Sequence, residues 1–196
     1  YADRILQFKK NCLYIINVSG ASEYLESEHR FMGVSHPYQT CMTELGPAWV
    51  NKNGCFLYDG ERIVNLISGK INPTEYDAAG STSWLGFIGK YGMISYLEKL
   101  KQILVFSDPS GVTSSGYDSP GANTELLGGT DIMIYDLGTG SWTRGQNKVS
   151  SKPKSNPIMN YDNQLLYLSQ QVDYTQRLLT YIPQAPILAI DAVWQI

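Results

Sequence analysis

A short hairpin recurs along this chain: a strand, a polar turn, then a strand rich in aromatic residues. Two copies read Phe8-Lys9-Lys10-Asn11-Cys12-Leu13-Tyr14 and Trp49-Val50-Asn51-Lys52-Asn53-Gly54-Cys55-Phe56-Leu57-Tyr58. Two more run from Tyr96 through Lys101 to Phe106 and from Asn160 through Asn163 to Leu168. The turn residues Asn11 and Asn53 lie 42 positions apart, and Asn53 and Lys101 lie 48 apart. Lys101 and Asn163 are 62 apart, but a Gly/Ser/Pro-rich stretch of 23 residues, Ser107 to Gly129, falls between them and leaves 39 when removed. A pitch of about 40–50 residues is what a four-stranded propeller blade requires. The spacing predicts an all-β chain: a β-propeller, or part of one, with about four blades or partial blades across residues 1–196 and a long inserted loop at 107–129. The alternative is an irregular β-sandwich whose hairpins look alike by chance.

The remaining blade strands follow from local pattern. Asp59-Gly60 is a tight-turn signal, and Arg62 to Leu66 then reads as an outer strand. Asp131 to Tyr135, Ser141 to Arg144 and Arg177 to Tyr181 read as strands, with inner strands near Gln39–Met42, Gly92–Ser95 and Pro157–Met159. Ile103-Leu104-Val105-Phe106 is apolar without interruption, which suits a strand covered on both faces. Asn72 to Gly80 reads as a short capped helix, with Pro73 at its first position. Ala21 to Phe31 is charged and reads as one or two helical turns.

Composition agrees with this class and excludes others. Apolar residues make up 43% and charged residues 17%, enough for a core and too little charge for a disordered chain. Tyr at 14, Gly at 18 and Pro at 9 favour strands and turns over helices. A net charge of −3 argues against tight binding to nucleic acid phosphates. No apolar run approaches the ~20 residues of a membrane span. The sequence opens without Met and in strand-like residues, which reads as a piece of a longer protein.

The side chains that carry chemistry are sparse. His29 and His36 lack a metal spacing, and the three cysteines, Cys12, Cys41 and Cys55, form no Cys-x-x-Cys pair. They read as buried thiols, with Cys12 and Cys55 in equivalent core positions of two repeats. Cys41 with His36 is a nucleophile pair only in residue type, because no motif supplies an orienting partner. Asp108, Asp118 and Asp131 lack the density of a calcium loop and read as turn aspartates. Lys148, Lys152 and Lys154 read as a solvated basic run between blades. Asn17-Val18-Ser19 matches the glycosylation pattern at a strand end. No catalytic, cofactor or metal residue is assigned. Trp49, Tyr58, Tyr135, Trp142 and Tyr167 are expected to be packing anchors. Within the long loop, Asp108, Tyr117, Asp118 and Asn123 are the expected partner contacts.

Two resemblances rest on these residues. Asp131-Ile132-Met133-Ile134-Tyr135-Asp136 followed by Ser141-Trp142-Thr143 resembles a kelch-type repeat, with a Tyr-Asp turn followed by Trp. More broadly, Asp3 to Phe8, Tyr14 to Val18, Gly33 to Pro37, Ala48 to Asn51, Phe56 to Gly60, Ile134 to Asp136, Lys154 to Asn156 and Leu165 to Tyr167 resemble β-propeller proteins of tailed-bacteriophage virions. That resemblance implies a non-enzymatic structural subunit of the tail, such as a nozzle or tube-end ring through which DNA passes. It implies a homo-oligomeric ring in contact with neighbouring tail proteins, assembled in the host cytoplasm and located in the virion tail. It implies no cofactor. The alternative is a propeller module that binds a host receptor or glycan.

Overall fold

The computed structural model describes residues 1–74, 83–107, 131–145, 149, 155–170 and 176–181. Its strands form four antiparallel sheets, and in each sheet spatial order follows chain order. The first sheet holds β1 (Arg4–Phe8), β2 (Cys12–Asn17) and β3 (Tyr24–Arg30). The second holds β4 (Thr40–Thr43), β5 (Gly46–Asn51), β6 (Gly54–Tyr58) and β7 (Ile63–Asn65). The third holds β8 (Met93–Leu97), β9 (Gln102–Phe106), β10 (Ile132–Asp136) and β11 (Ser141–Gly145). The fourth holds β12 (Ile158–Met159), β13 (Leu165–Gln170) and β14 (Gln176–Thr180). The chain is thus all-β, with one short helix, α1 (Trp84–Ile88), and two single-turn helices at Pro37–Gln39 and Glu98–Leu100 among the described residues.

The sheets stack face to face in chain order, and the apolar clusters between them show it. Leu13 and Ile15 of the first sheet pack on Trp49, Phe56 and Tyr58 of the second. The opposite face of the second sheet, with Ala48, Val50, Cys55 and Leu57, packs on Ile94, Ile103, Val105 and Tyr135 of the third. The opposite face of the third, with Met93, Leu104, Phe106 and Ile132, packs on Leu165 and Tyr167 of the fourth. The two middle sheets are therefore buried on both faces. This explains why β6 and β8 are buried at every position and why their sequences do not alternate. Between the second and third sheets the first strands, β4 and β8, run closest together. Nearby, Trp84, Phe87 and Ile88 of α1 fill the same seam. The helix is started by Ser83, whose Oγ accepts the Gly86 amide at 3.1 Å.

Three readings change. Residues 24–30 are a strand and not helical turns, because their charges alternate: Glu26, Glu28 and Arg30 suit an exposed edge strand. A bulge opposite Ile15/Ile16 sets Glu26 where it accepts hydrogen bonds from Arg4 Nε at 2.9 Å and Asn17 Nδ2 at 2.8 Å. Cys12 and Cys55 are not equivalent: Cys12 directly follows its turn asparagine, whereas Cys55 sits one place further, and one step along a strand moves a side chain to the other face. Finally, the four hairpins are not all the same hairpin. The Asn53 turn joins the second and third strands of its sheet, while the Lys101 and Asn163 turns join first and second strands. Lys101 (φ 54°) and Asn163 (φ 57°) share a left-handed conformation that Asn11 and Asn53 lack. The expected helix at 72–80 lies mostly outside the described residues.

Candidate functional site: inter-sheet seams and free sheet faces

The expected packing residues all lie at seams between sheets. Trp49 is fully buried, with Phe8 edge-on at 5.3 Å and Phe56 stacked at 5.6 Å. Tyr58 lies in the same seam, and its hydroxyl donates to Gly60 O at 2.7 Å. Burial pushes the Tyr58 phenol above its usual pKa. Tyr135 and Trp142 meet at 5.0 Å on the third sheet, and Trp142 meets Trp84 at 5.9 Å. The Trp142 indole donates to Leu66 O at 2.9 Å and so ties the third sheet to the second. Tyr167 is buried in the seam with the fourth sheet. The loop contacts Asp108, Tyr117, Asp118 and Asn123 lie outside the described residues, as do Asp118's neighbours in the loop and the basic run Lys148, Lys152 and Lys154.

Several cross-sheet ties escape sequence reading because their residues look like ordinary turn or loop polar groups. Asn51 Nδ2 donates to Phe31 O at 2.9 Å and Gly33 O at 2.8 Å, and Asn53 Nδ2 donates to Phe31 O at 2.8 Å. Lys70 Nζ donates to Gly140 O at 2.6 Å and lies 5.0 Å from the Tyr135 ring centre. The Trp84 indole donates to Asn51 O at 2.8 Å. Trp84 and Asn51 thus join α1 to the hairpin of the second sheet.

The reactive side chains are held by other neighbours. Cys41 packs against the cluster that contains Cys55, and burial pushes its thiol up to about 12. Cys55 is raised well above its usual value, by burial first and by Cys41 second. Both thiols therefore stay protonated and weakly nucleophilic at neutral pH. His36 stacks on Tyr38 at 5.0 Å and leans on Tyr91 at 5.2 Å. His29 Nε2 lies 2.9 Å from Ser27 Oγ, two residues back on the same strand. No carboxylate holds its other ring nitrogen among the described residues, so a serine–histidine–acid relay is not formed there. Among the described residues no three His, Cys, Asp or Glu side chains gather as a metal would need. No described helix is long and apolar enough to cross a membrane.

Among the described residues nothing covers the outer faces of the first and fourth sheets. On the first sheet, strand alternation opposite Leu6, Phe8, Leu13 and Ile15 presents Ile5, Gln7, Cys12, Tyr14, Ile16, Leu25, Glu28 and Arg30, a mixed apolar and charged face. A shallow hollow of about 350 Å³ there is lined by Gln7, Lys9, Tyr14, Ile16, Tyr24 and Leu25 among others. On the fourth sheet, alternation opposite Leu165 and Tyr167 presents Ile158, Leu166, Leu168 and Leu178. No protein-family model and no curated protein matches this chain.

Proposed function

We propose that the chain is a structural protein of a tailed-bacteriophage virion, its four sheets being successive blades of a β-propeller in the tail nozzle or tube-end ring. One observation supports the reading above others: four antiparallel meanders stacked in chain order, with both faces of the middle two buried. The approach of β4 to β8, with α1 filling the seam nearby, suits a stack that fans about its first strands as blades do. A fanned stack of this kind is stiff, because every seam is apolar and the first two are also pinned by indole and amide hydrogen bonds. Stiffness and sheet closure are what a load-carrying ring requires, and neither asks for a catalytic group. The short motifs shared with phage tail propellers supply the virion assignment, and a net charge of −3 suits a wall past which DNA moves without sticking.

The experiment is electron microscopy and native mass measurement of the purified assembly and of particles containing it. A symmetric ring built into the tail is the expected result. A soluble monomer that binds cells or sugars would sink the proposal. That second outcome is the receptor- or glycan-binding reading, which the hollow between Tyr14 and Tyr24 on the first sheet favours.

A further inference from the structure

We propose that Asn53-Gly54 is a self-modification site, guarded by the clamp that joins the first sheet to the second and exposed to reaction when that clamp lets go. The pair is the only Asn-Gly step in the sequence. It lies in the turn between β5 and β6, where Gly54 is paired with Asn51 and Asn53 is exposed. A separate structural need fixes each residue there. Gly54 is buried, and a Cβ on it would lie 2.5 Å from Oδ1 of Asn65. Asn53 Nδ2 donates to Phe31 O at 2.8 Å, and Asn51 Nδ2 donates to the same oxygen at 2.9 Å. Phe31 N in turn donates to Asn11 O at 2.7 Å, so the segment after β3 is held between two hairpin turns. The clamp is under load. Phe31 has φ 66°, a left-handed backbone that a bulky residue adopts at a cost, and its ring is 67% exposed, so packing offsets little of that cost.

Glycine after asparagine leaves the intervening backbone amide unhindered. When the clamp opens, the Gly54 amide nitrogen gives its proton to water and attacks Cγ of Asn53. The new N–Cγ bond closes a five-membered succinimide. The Cγ–Nδ2 bond breaks, and Nδ2 leaves as ammonia with a proton taken back from water. A water molecule then opens the ring at either carbonyl. One opening gives aspartate in the ordinary chain, the other isoaspartate, with the chain running through the side-chain carbon. In the closed clamp both reacting groups are restrained. The leaving nitrogen is held on Phe31 O, the Asn53 amide donates to Asn51 Oδ1 at 2.7 Å, and Gly54 is buried in the ladder. Conversion therefore reports how often the clamp opens. The product cannot remake the clamp, because a carboxylate has no proton to donate to Phe31 O and repels that oxygen. The inference rests on the clamp and not on the virion assignment. The pure chain tests it, whereas particles test the assignment.

The purified chain is incubated at mildly alkaline pH, folded and in urea, and the peptide holding Asn53 is followed by mass spectrometry for exchange of ammonia for water. The folded wild type is expected to convert at least ~10-fold more slowly than the unfolded chain. Asn51→Asp keeps the oxygen that accepts the Asn53 amide but loses the donor to Phe31 O and Gly33 O. It should remove most of the protection while circular dichroism still shows the fold. Asn51→Ser repeats the test with a neutral side chain. Asn53→Asp is the product of ordinary connectivity, and hydrogen exchange of the Phe31 amide should quicken about 10-fold in it. The proposal is overturned by no conversion in urea, or by conversion as fast in the fold as in urea. Folded Asn51 variants that convert as slowly as wild type would overturn it too, as would unchanged exchange at Phe31 in Asn53→Asp.

Discussion

Replacing each buried tryptophan with phenylalanine gives a test in which two equally buried rings respond differently. Trp84 and Trp49 are both fully buried. The Trp84 indole donates to Asn51 O at 2.8 Å, whereas Trp49 Nε1 has no hydrogen-bond partner. Shrinking either ring costs about 1–2 kcal/mol in lost packing and cavity. Trp84→Phe also leaves the Asn51 carbonyl without its donor, which adds about 1–3 kcal/mol. Trp49→Phe instead removes a buried donor that was already unpaired, and relief of its desolvation offsets most of the packing loss. The expected cost is about 2–5 kcal/mol at Trp84 and within about 1 kcal/mol of zero at Trp49. Trp142→Phe falls between them, because its indole donates to Leu66 O at 2.9 Å from a half-buried site. Urea unfolding reads these values as midpoint shifts at constant slope. With a slope of about 2 kcal/mol per molar, Trp84→Phe moves the midpoint by roughly 1–2.5 M. If Trp49→Phe shifts the midpoint as far as Trp84→Phe, the hydrogen-bond reasoning fails.

Three further outcomes follow from local geometry. A Cβ at Gly33 would run into Lys9 O and the amide of Cys12. Gly33→Ala is therefore expected to cost about 3 kcal/mol by displacing the first hairpin, and an unchanged urea midpoint would contradict it. The Cys41 thiol is pushed up to about 12 by burial. Its contribution to stability is full below the unfolded thiol pKa of about 8.5 and is lost as pH rises from there toward its folded value. Cys41→Ala should flatten the fall in stability above about pH 9, and in the wild type Cys41 should resist thiol reagents until unfolding. Asp136 is held below the usual carboxylate range by the Thr139 amide first, and Glu26 by Asn17 and then Arg4. These carboxylates favour the fold above their unfolded pKa and lose that effect as pH falls. Stability should drop below about pH 4, and Asp136→Asn should flatten that fall; an unaltered acid limb would refute the assignment.

The strands were legible where burial leaves a mark in residue type. Ile103 to Phe106 is apolar throughout because both its faces are covered, and β9 lies in the middle of the stack. The first strands of the second, third and fourth sheets, near Thr40, Met93 and Ile158, also fall where turn chemistry puts them. The third strand of the first sheet is obscure in the sequence because its charges outweigh its apolar residues, so alternation at period two resembles one or two charged helical turns. Helix α1 spans only five residues, too short for any periodicity to show. The anchors Trp49, Tyr58, Tyr135, Trp142 and Tyr167 could be chosen by size alone, since large rings settle in seams. Their partners could not, because Asn51, Lys70 and Leu66 act through a side-chain amide, an ammonium and a backbone carbonyl whose positions depend on the stacking. The free faces were also illegible, because covered and uncovered aliphatic faces have the same residue types.

The recurring hairpin carries one more piece of information, which lies in its phase. Two residues after the turn, Leu13 and Cys55 face forward along the stack, whereas Ile103 and Leu165 belong to backward faces. A hairpin moved one strand along a meander is turned end over end, because neighbouring strands run in opposite directions. That rotation exchanges its two faces. The Lys101 and Asn163 hairpins join first and second strands, and the Asn53 hairpin joins second and third. The phase of the Asn11 hairpin matches Asn53, so β1 and β2 correspond to β5 and β6 and not to β8 and β9. Turn conformation gives the same division, with positive φ at Lys101 and Asn163 only. Among the described residues no strand pairs with the other edge of β1, the place where the other three sheets carry β4, β8 and β12. An open edge at that place is a template for one more antiparallel strand.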